Sequence, residues 1–448
     1  MAPARASQRL KIGAALLALA GCRTPPIPPT SHDAGGISFS PPPTKPISPL
    51  PQSELPTTDG SIAIGNLQGQ IESYEKLYAH GPHGVSLLSG LIGTLSTRGQ
   101  YLGTLDDYDR AEALAEELVK LAPKSPEAYL YRAGTRSTFH RFADSERDLD
   151  EAVKLGAKGL RVVGLRGALF QATGRSGESL VLRHAAVVEK ADITTLGLEA
   201  TVLADLGRTE EAEQRFIEAQ HHFRDVAPFP VAWLYFQQGL MWERRGTLSR
   251  ARELYQAAHE RLPLYAPAAA HLAGVLASEG ERAQAIALLR PLLDSSTDPE
   301  YAGQLSSLLR QEGQATEADA LRDRATRRYD ALLARHPAAF GDHAARYFLA
   351  AGNDPKRALT LAIENARLRD TVDAHQLVLD AALVADTPIG ACEAADEATK
   401  RCGHEAISDG GVRSSPCGAH LHVLASRAYA ACKRPEAAAA ELAAAAAQ

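Results

Sequence analysis

PVAWLYFQQGLMWERRGTLSRARELYQAAHERLP, residues 230–263, carries both tryptophans of a 448-residue chain that is only 6% aromatic. Its apolar residues recur at helical spacing up to Gly246, restart after a polar turn, and stop at Pro263. That pattern predicts two helices folded back on each other. Two stripes run along the first helix. Tyr235, Gly239 and Trp242 share one, and Gly239 together with Ala251 and Ala258 lets the pair approach closely while aromatics fill the space beside them. Trp233, Phe236, Leu240, Glu243 and Arg244 share the other.

The same grammar recurs. Gly174, Gly207, Gly246, Gly280, Gly313 and Gly352 each follow one apolar-periodic segment and precede another, at spacings of 33, 39, 34, 33 and 39. Leu196, Ala200, Leu203, Ala212, Phe216 and Ala219 form one further unit; Ala269, Leu272, Ala273, Leu276, Ala285 and Leu289 form another. Val163, Gly167, Phe170 and Ala186 mark a third, and pairs are recognisable at 84–122, 126–156, 299–335 and 338–369, with degenerate ones at 372–402 and 418–446. Strand signals are missing from residue 60 onward. A period near 34 residues points to helix pairs that bury their apolar faces only by stacking.

The unit Tyr235, Gln238-Gly239, Trp242, Ala251, Tyr255, Ala258, Pro263 resembles the tetratricopeptide repeat, with Gln238 where that repeat has leucine. The resemblance covers about residues 61–448. It implies an all-α, right-handed superhelical solenoid of antiparallel helix pairs, with a concave groove lined by the first helix of each pair. In related proteins that groove holds an extended peptide or helix of a partner. The residues this places there are Trp233, Phe236, Leu240, Glu243 and Arg244, with His271 and Arg310, and Asp342 and Arg346, from neighbouring pairs. The competing reading has Trp233 and Phe236 packed against an adjacent helix.

Residues 1–21 read as an export signal: Arg5, Arg9 and Lys11, then an apolar run from Ile12 to Ala20 that is too short to span a bilayer. Leu19-Ala20-Gly21-Cys22 resembles the lipobox of bacterial lipoproteins, which implies cleavage before Cys22 and lipid, palmitate included, on that residue. Arg23 follows, not the aspartate that marks inner-membrane retention, so the resemblance implies an outer-membrane anchor. Residues 22–60 are rich in proline and serine and read as a disordered spacer reaching up to roughly 100 Å at polyproline rise, or as a proline-rich docking motif.

Forty-eight Lys and Arg against 54 Asp and Glu give a net charge of -6 without long single-sign runs, which argues against a nucleic-acid partner. Sequence patterns for a zinc protease, a nucleophile elbow or a phosphate loop are missing, so the chain reads as non-enzymatic and without cofactor. Cysteine concentrates late: Cys392, Cys402, Cys417 and Cys432. Cys402 and Cys417 bracket one loop and Cys392 and Cys432 lie further back on antiparallel helices, which predicts Cys402–Cys417 and Cys392–Cys432 disulfides stapling about residues 388–432. The alternative is a metal- or small-molecule-binding region built on Cys402, His404, Cys417, His420 and His422. The leading expectation is a membrane-tethered scaffold or adaptor for protein partners in the bacterial envelope, serving assembly, secretion or cell-wall maintenance.

Overall fold

The computed structural model describes residues 48–404 and 415–446. The export signal, Cys22, the spacer up to residue 47, the 405–414 loop and the His404 side chain lie outside the described residues. Among the described residues from Gly60 onward, every regular element is a helix. After a lone helix α1 (Gly60–His80) come α2 and α3 (Val85–Leu102, Leu105–Leu121), α4 and α5 (Pro126–Thr138, Phe142–Lys154), and α6 and α7 (Leu160–Ala172, Ser176–Glu189). Next are α8 and α9 (Ile193–Asp205, Thr209–His221), α10 and α11 (Pro228–Arg244, Leu248–Arg261), and α12 and α13 (Ala266–Ser278, Arg282–Leu289). A four-residue turn α14 (Leu292–Ser295) precedes α15 and α16 (Pro299–Gln311, Ala315–Arg335). The series ends with α17 and α18 (Pro337–Leu349, Pro355–Leu368), α19 and α20 (Val372–Val384, Pro388–His404), and α21 and α22 (Ala419–Ala431, Pro435–Ala446). Among the described residues there are thus ten helix pairs, and the chain is a tetratricopeptide-like solenoid.

Local chemistry explains the boundaries. Proline opens α4, α10, α15, α17 and α18, where its missing N–H is one of the helix's unpaired donors anyway. Each pair turns on one left-handed residue: Gly103, His140, Gly174, Gly207, Gly246, Gly280, Gly313, Asn353, Asp386 and Lys433 all have positive φ. The residue after it typically donates five positions back, as Arg175 N–H does to Phe170 at 2.8 Å and Arg208 N–H to Leu203 at 2.9 Å, closing a Schellman cap. Gly352, read from the sequence as a turn glycine, is displaced by one extra residue. Gly352 N–H makes the bond to Tyr347, and Asn353, one residue on, takes the left-handed conformation.

Within a pair the small residues act as read. A Cβ on Gly239 would lie 2.6 Å from the Tyr255 ring, so only glycine lets that tyrosine bury completely. Ser145, Ser179, Ser306 and Ser426 each donate a hydroxyl to a carbonyl twelve residues away on the paired helix, at 2.6–2.8 Å. Consecutive first helices also touch, α8 with α10 and α17 with α19, forming the inner layer.

Long-range contacts reveal the superhelical period. The Gly103 turn of the first pair meets Ser296 and Thr297, just before the seventh. The His140 turn of the second pair meets the connection before the eighth: His140 Nδ1 bonds the Ala338 carbonyl at 2.9 Å, and Phe139 stacks on His336. In the third pair the Gly174 turn abuts Asp370, before the ninth, and in the fourth the Gly207 turn abuts Ser415 and Pro416, before the tenth. Gly60, at the start of α1, fits the same series against Arg261 and Leu262. The turns of the first four pairs therefore stack on the units six pairs later. Ion pairs Arg328–Asp106 (2.7 Å) and Arg335–Asp109 (2.6 Å) cross the same seam.

The end of the expected spacer is ordered against this body. Leu50 N–H bonds Gln220 at 3.1 Å, Thr58 N–H bonds the Val226 carbonyl, and Leu55 is buried. Arg261 holds the Leu55 carbonyl at 2.7 Å. From Ser48 to Thr58 the chain is a strap, held by buried Leu55 and by hydrogen bonds to Gln220, Val226 and Arg261.

Candidate partner-binding surface

The structure separates the residues expected in the groove. Phe236 is a correction: only 8% exposed, its ring lies 5.2 Å from Tyr265, 5.4 Å from His271 and 5.8 Å from Tyr255, inside the packed interior. Trp233 is half-buried over Gly197 of α8, where a Cβ would come within 2.8 Å of the indole. Leu240 packs partly against the same core. The stripe bearing these three side chains contacts the neighbouring first helix, because consecutive first helices touch and must fill the space between them.

The polar members of the set face one another. Glu243 accepts hydrogen bonds from the Tyr255 hydroxyl and from His271 Nδ1, the latter at 2.8 Å. Burial opposes ionisation of Glu243, but His271 and Tyr255 outweigh it and hold the carboxyl below its usual range. Arg244 bridges Asp205 at 2.8 Å and Asp373 at 3.0 Å, tying the fifth pair to the fourth and, across 129 residues, to the ninth. Arg310, half exposed, pairs with Asp319 of its own unit.

Sequence reasoning missed most of the inner charged band. Glu300 meets His343 at 3.0 Å, and Asp342 meets Arg369 at 2.9 Å. Asp342 and Glu300 hold His343 protonated up to about 10 against partial desolvation of its half-exposed ring, while His343 and Arg369 overcome burial of Asp342 and pull it to about 2. Burial, with Glu300 nearby, pushes Asp298 up to about 6. Glu300 and His343 lie 43 positions apart and Asp342 and Arg369 lie 27 apart, in units of unequal length, so no fixed period exposes them.

The turns of pairs one to four abut the connections before pairs seven to ten, so distant units meet along one seam. In the last pairs the cysteines join as Cys392–Cys432 and Cys402–Cys417, with Cα atoms 6.2 and 5.4 Å apart. That corrects the alternative metal set: both sulfurs are bonded to each other, and His422 is held by Glu441 at 2.7 Å. Among the described residues no helix is long and apolar enough to cross a membrane.

No protein-family model matches the chain, and no curated protein matches it. Solved structures similar to it include a human IFIT1 dimer with PPP-AAAA, at 16% identity over 75% of this chain and 77% of that one, TM-score 0.45. The Cut9-Hcn1 hetero-tetramer of APC/C matches at 15% identity over 86% and 78%, TM-score 0.42. PilF of Pseudomonas aeruginosa matches at 16% identity over 47% of this chain and 92% of its own, TM-score 0.35. At these scores the fold rests on the chain's own helix pairs.

Proposed function

We propose that this chain is a lipid-tethered, non-enzymatic scaffold of the bacterial cell envelope that holds protein partners near the outer membrane. The observation that carries the reading is the stacking of the first four turns on the units six pairs later, which ties distant units of a solenoid whose units otherwise touch only their neighbours. The disulfides of the last pairs suit an oxidising compartment. The Ser48–Thr58 strap fixes the point from which a tether ending at Cys22 would leave the body, beside His221. Cysteine-linked lipid would contribute ~0.8 kcal/mol per buried methylene.

Membrane fractionation combined with crosslinking in cells tests it. The wild-type chain is expected in the outer-membrane fraction with a captured protein, and Cys22→Ser in the soluble fraction. Identical fractionation of the two would remove the tether, and wild-type crosslinking without a captured protein would remove the scaffold.

A further inference from the structure

The inner faces of α2, α4 and α6 leave a cleft of about 80 Å³ that opens to solvent. Its walls are apolar at Ile92, Leu130, Phe139 and Leu165, and Thr138 is the one exposed side chain lining it. Two glycines keep it open. A Cβ on Gly93 would meet nothing within 4 Å, and one on Gly134 only Leu165 at 4.0 Å. Neither has a left-handed backbone, so nothing in the packing requires glycine inside these helices, where it weakens a helix relative to alanine.

Arg161, the second residue of α6, lines the same cleft with a side chain only 2% exposed. Its Nη1 reaches Glu127 at a long 3.4 Å, and its guanidinium lies over the Tyr131 ring at 4.2 Å. Nε and Nη2 are buried without a hydrogen-bond partner. Those two N–H groups form the parallel fork that fits a carboxylate. Elsewhere this chain uses the same edge that way: Arg98 gives Nε and Nη2 to Asp107 at 2.7 and 2.6 Å, and Arg132 gives them to Asp148 at 3.0 and 2.7 Å.

We propose that this cleft is a binding site for a small amphiphilic carboxylate. The acid group is seated on the Nε–Nη2 edge of Arg161 and an apolar body lies in the space beside Gly93 and Gly134. An apolar wall with one convergent, desolvated cation is the usual composition of such a site. With only one long contact to Glu127 and the Tyr131 ring, the buried Arg161 guanidinium is left with much of its desolvation cost, which a carboxylate on its free edge would offset.

Octanoate is the probe, titrated calorimetrically into the full chain carrying Cys22→Ser, which keeps lipid and detergent out of the cell. Saturable one-site binding is expected, at least about tenfold weaker for octanol, which keeps the body and loses the charge, and for Arg161→Gln. Gly93→Leu, which fills the cleft without touching Arg161, is expected to abolish binding with the helical circular dichroism unchanged. Acetate is expected to bind too weakly to detect. No octanoate binding to the wild-type cleft, or equal binding by the Gly93→Leu protein, overturns the proposal even if Arg161→Gln fails to fold. So does a peptide ending in leucine that outcompetes octanoate for the same site, which would make the ligand a protein terminus.

Discussion

Ser296 donates its hydroxyl to the Gly103 carbonyl at 2.7 Å, across 193 residues. The bond joins the turn of the first helix pair to the connection before the seventh, and it is the first step of a seam repeated at His140, Gly174 and Gly207. A tetratricopeptide-like chain thereby gains contacts between distant units as well as between neighbours.

Two turn glycines separate backbone strain from seam contact. Gly246 has φ 75° and open space around it, so Gly246→Ala is expected to lower stability by about 1–2 kcal/mol through the left-handed backbone alone. In Gly174→Ala the new methyl would also fall 2.0 Å from the Asp370 carbonyl oxygen. A larger loss is expected there, with faster hydrogen exchange at the start of α19. Equal losses in urea denaturation would mean that the seam contributes nothing.

Asp148 is buried between Arg132 and Arg136, accepting bonds of 2.7–3.0 Å from both. Its replacement by alanine strips both guanidinium groups of their buried anion, leaving only the more exposed Glu116. A loss of about 3 kcal/mol is expected, the lower end for a broken buried pair. Asp319→Ala, at the exposed Arg310 pair, is expected to lose far less, because solvent screens the pair. Thermal or urea unfolding of the two variants decides between them.

Reduction should loosen one end of the chain and one distant turn. The bridges close separations of 40 and 15 residues, each stabilising by ~2–4 kcal/mol in the chain-entropy picture. Faster hydrogen exchange is expected in α20 to α22 after reduction, and also at the Gly207 turn, which rests on Ser415 and Pro416. Exchange confined to the C-terminal pairs would show that this contact is not coupled to the disulfides.

The inner charged band gives stability a pH window. The pKa of His343 rises on folding from 6.5 to about 10, so its stabilising effect is complete below pH 6.5 and fades as pH climbs through 10. For Asp342 the pKa falls from 3.8 to about 2, so its contribution is complete above that unfolded value and is lost as pH falls toward 2. Asp298 acts oppositely, its raised pKa removing stability as pH rises from 3.8 to about 6. Relative to wild type, His343→Gln is expected to be less stable at pH 6 and nearly equal at pH 10. A melting-temperature difference independent of pH would rule out this role.

The 34-residue grammar in the sequence determined the all-helical class and the succession of pairs. Glycine at six of the ten left-handed turns, and aromatics set against small residues such as Gly239, are local requirements that residue type alone satisfies. The cysteines in the last pairs are legible for the same reason: their places on two antiparallel helices follow from helix boundaries. Tertiary structure alone decided what Trp233, Phe236 and Arg244 do, since an aromatic on a first helix reads alike whether it faces a groove or the next helix. It also decided that early turns meet units six pairs later and that Arg161 is buried with one edge unpaired. Those facts depend on the small rotation from each pair to the next, which accumulates over six units until residues nearly 200 positions apart meet. No local pattern encodes that sum.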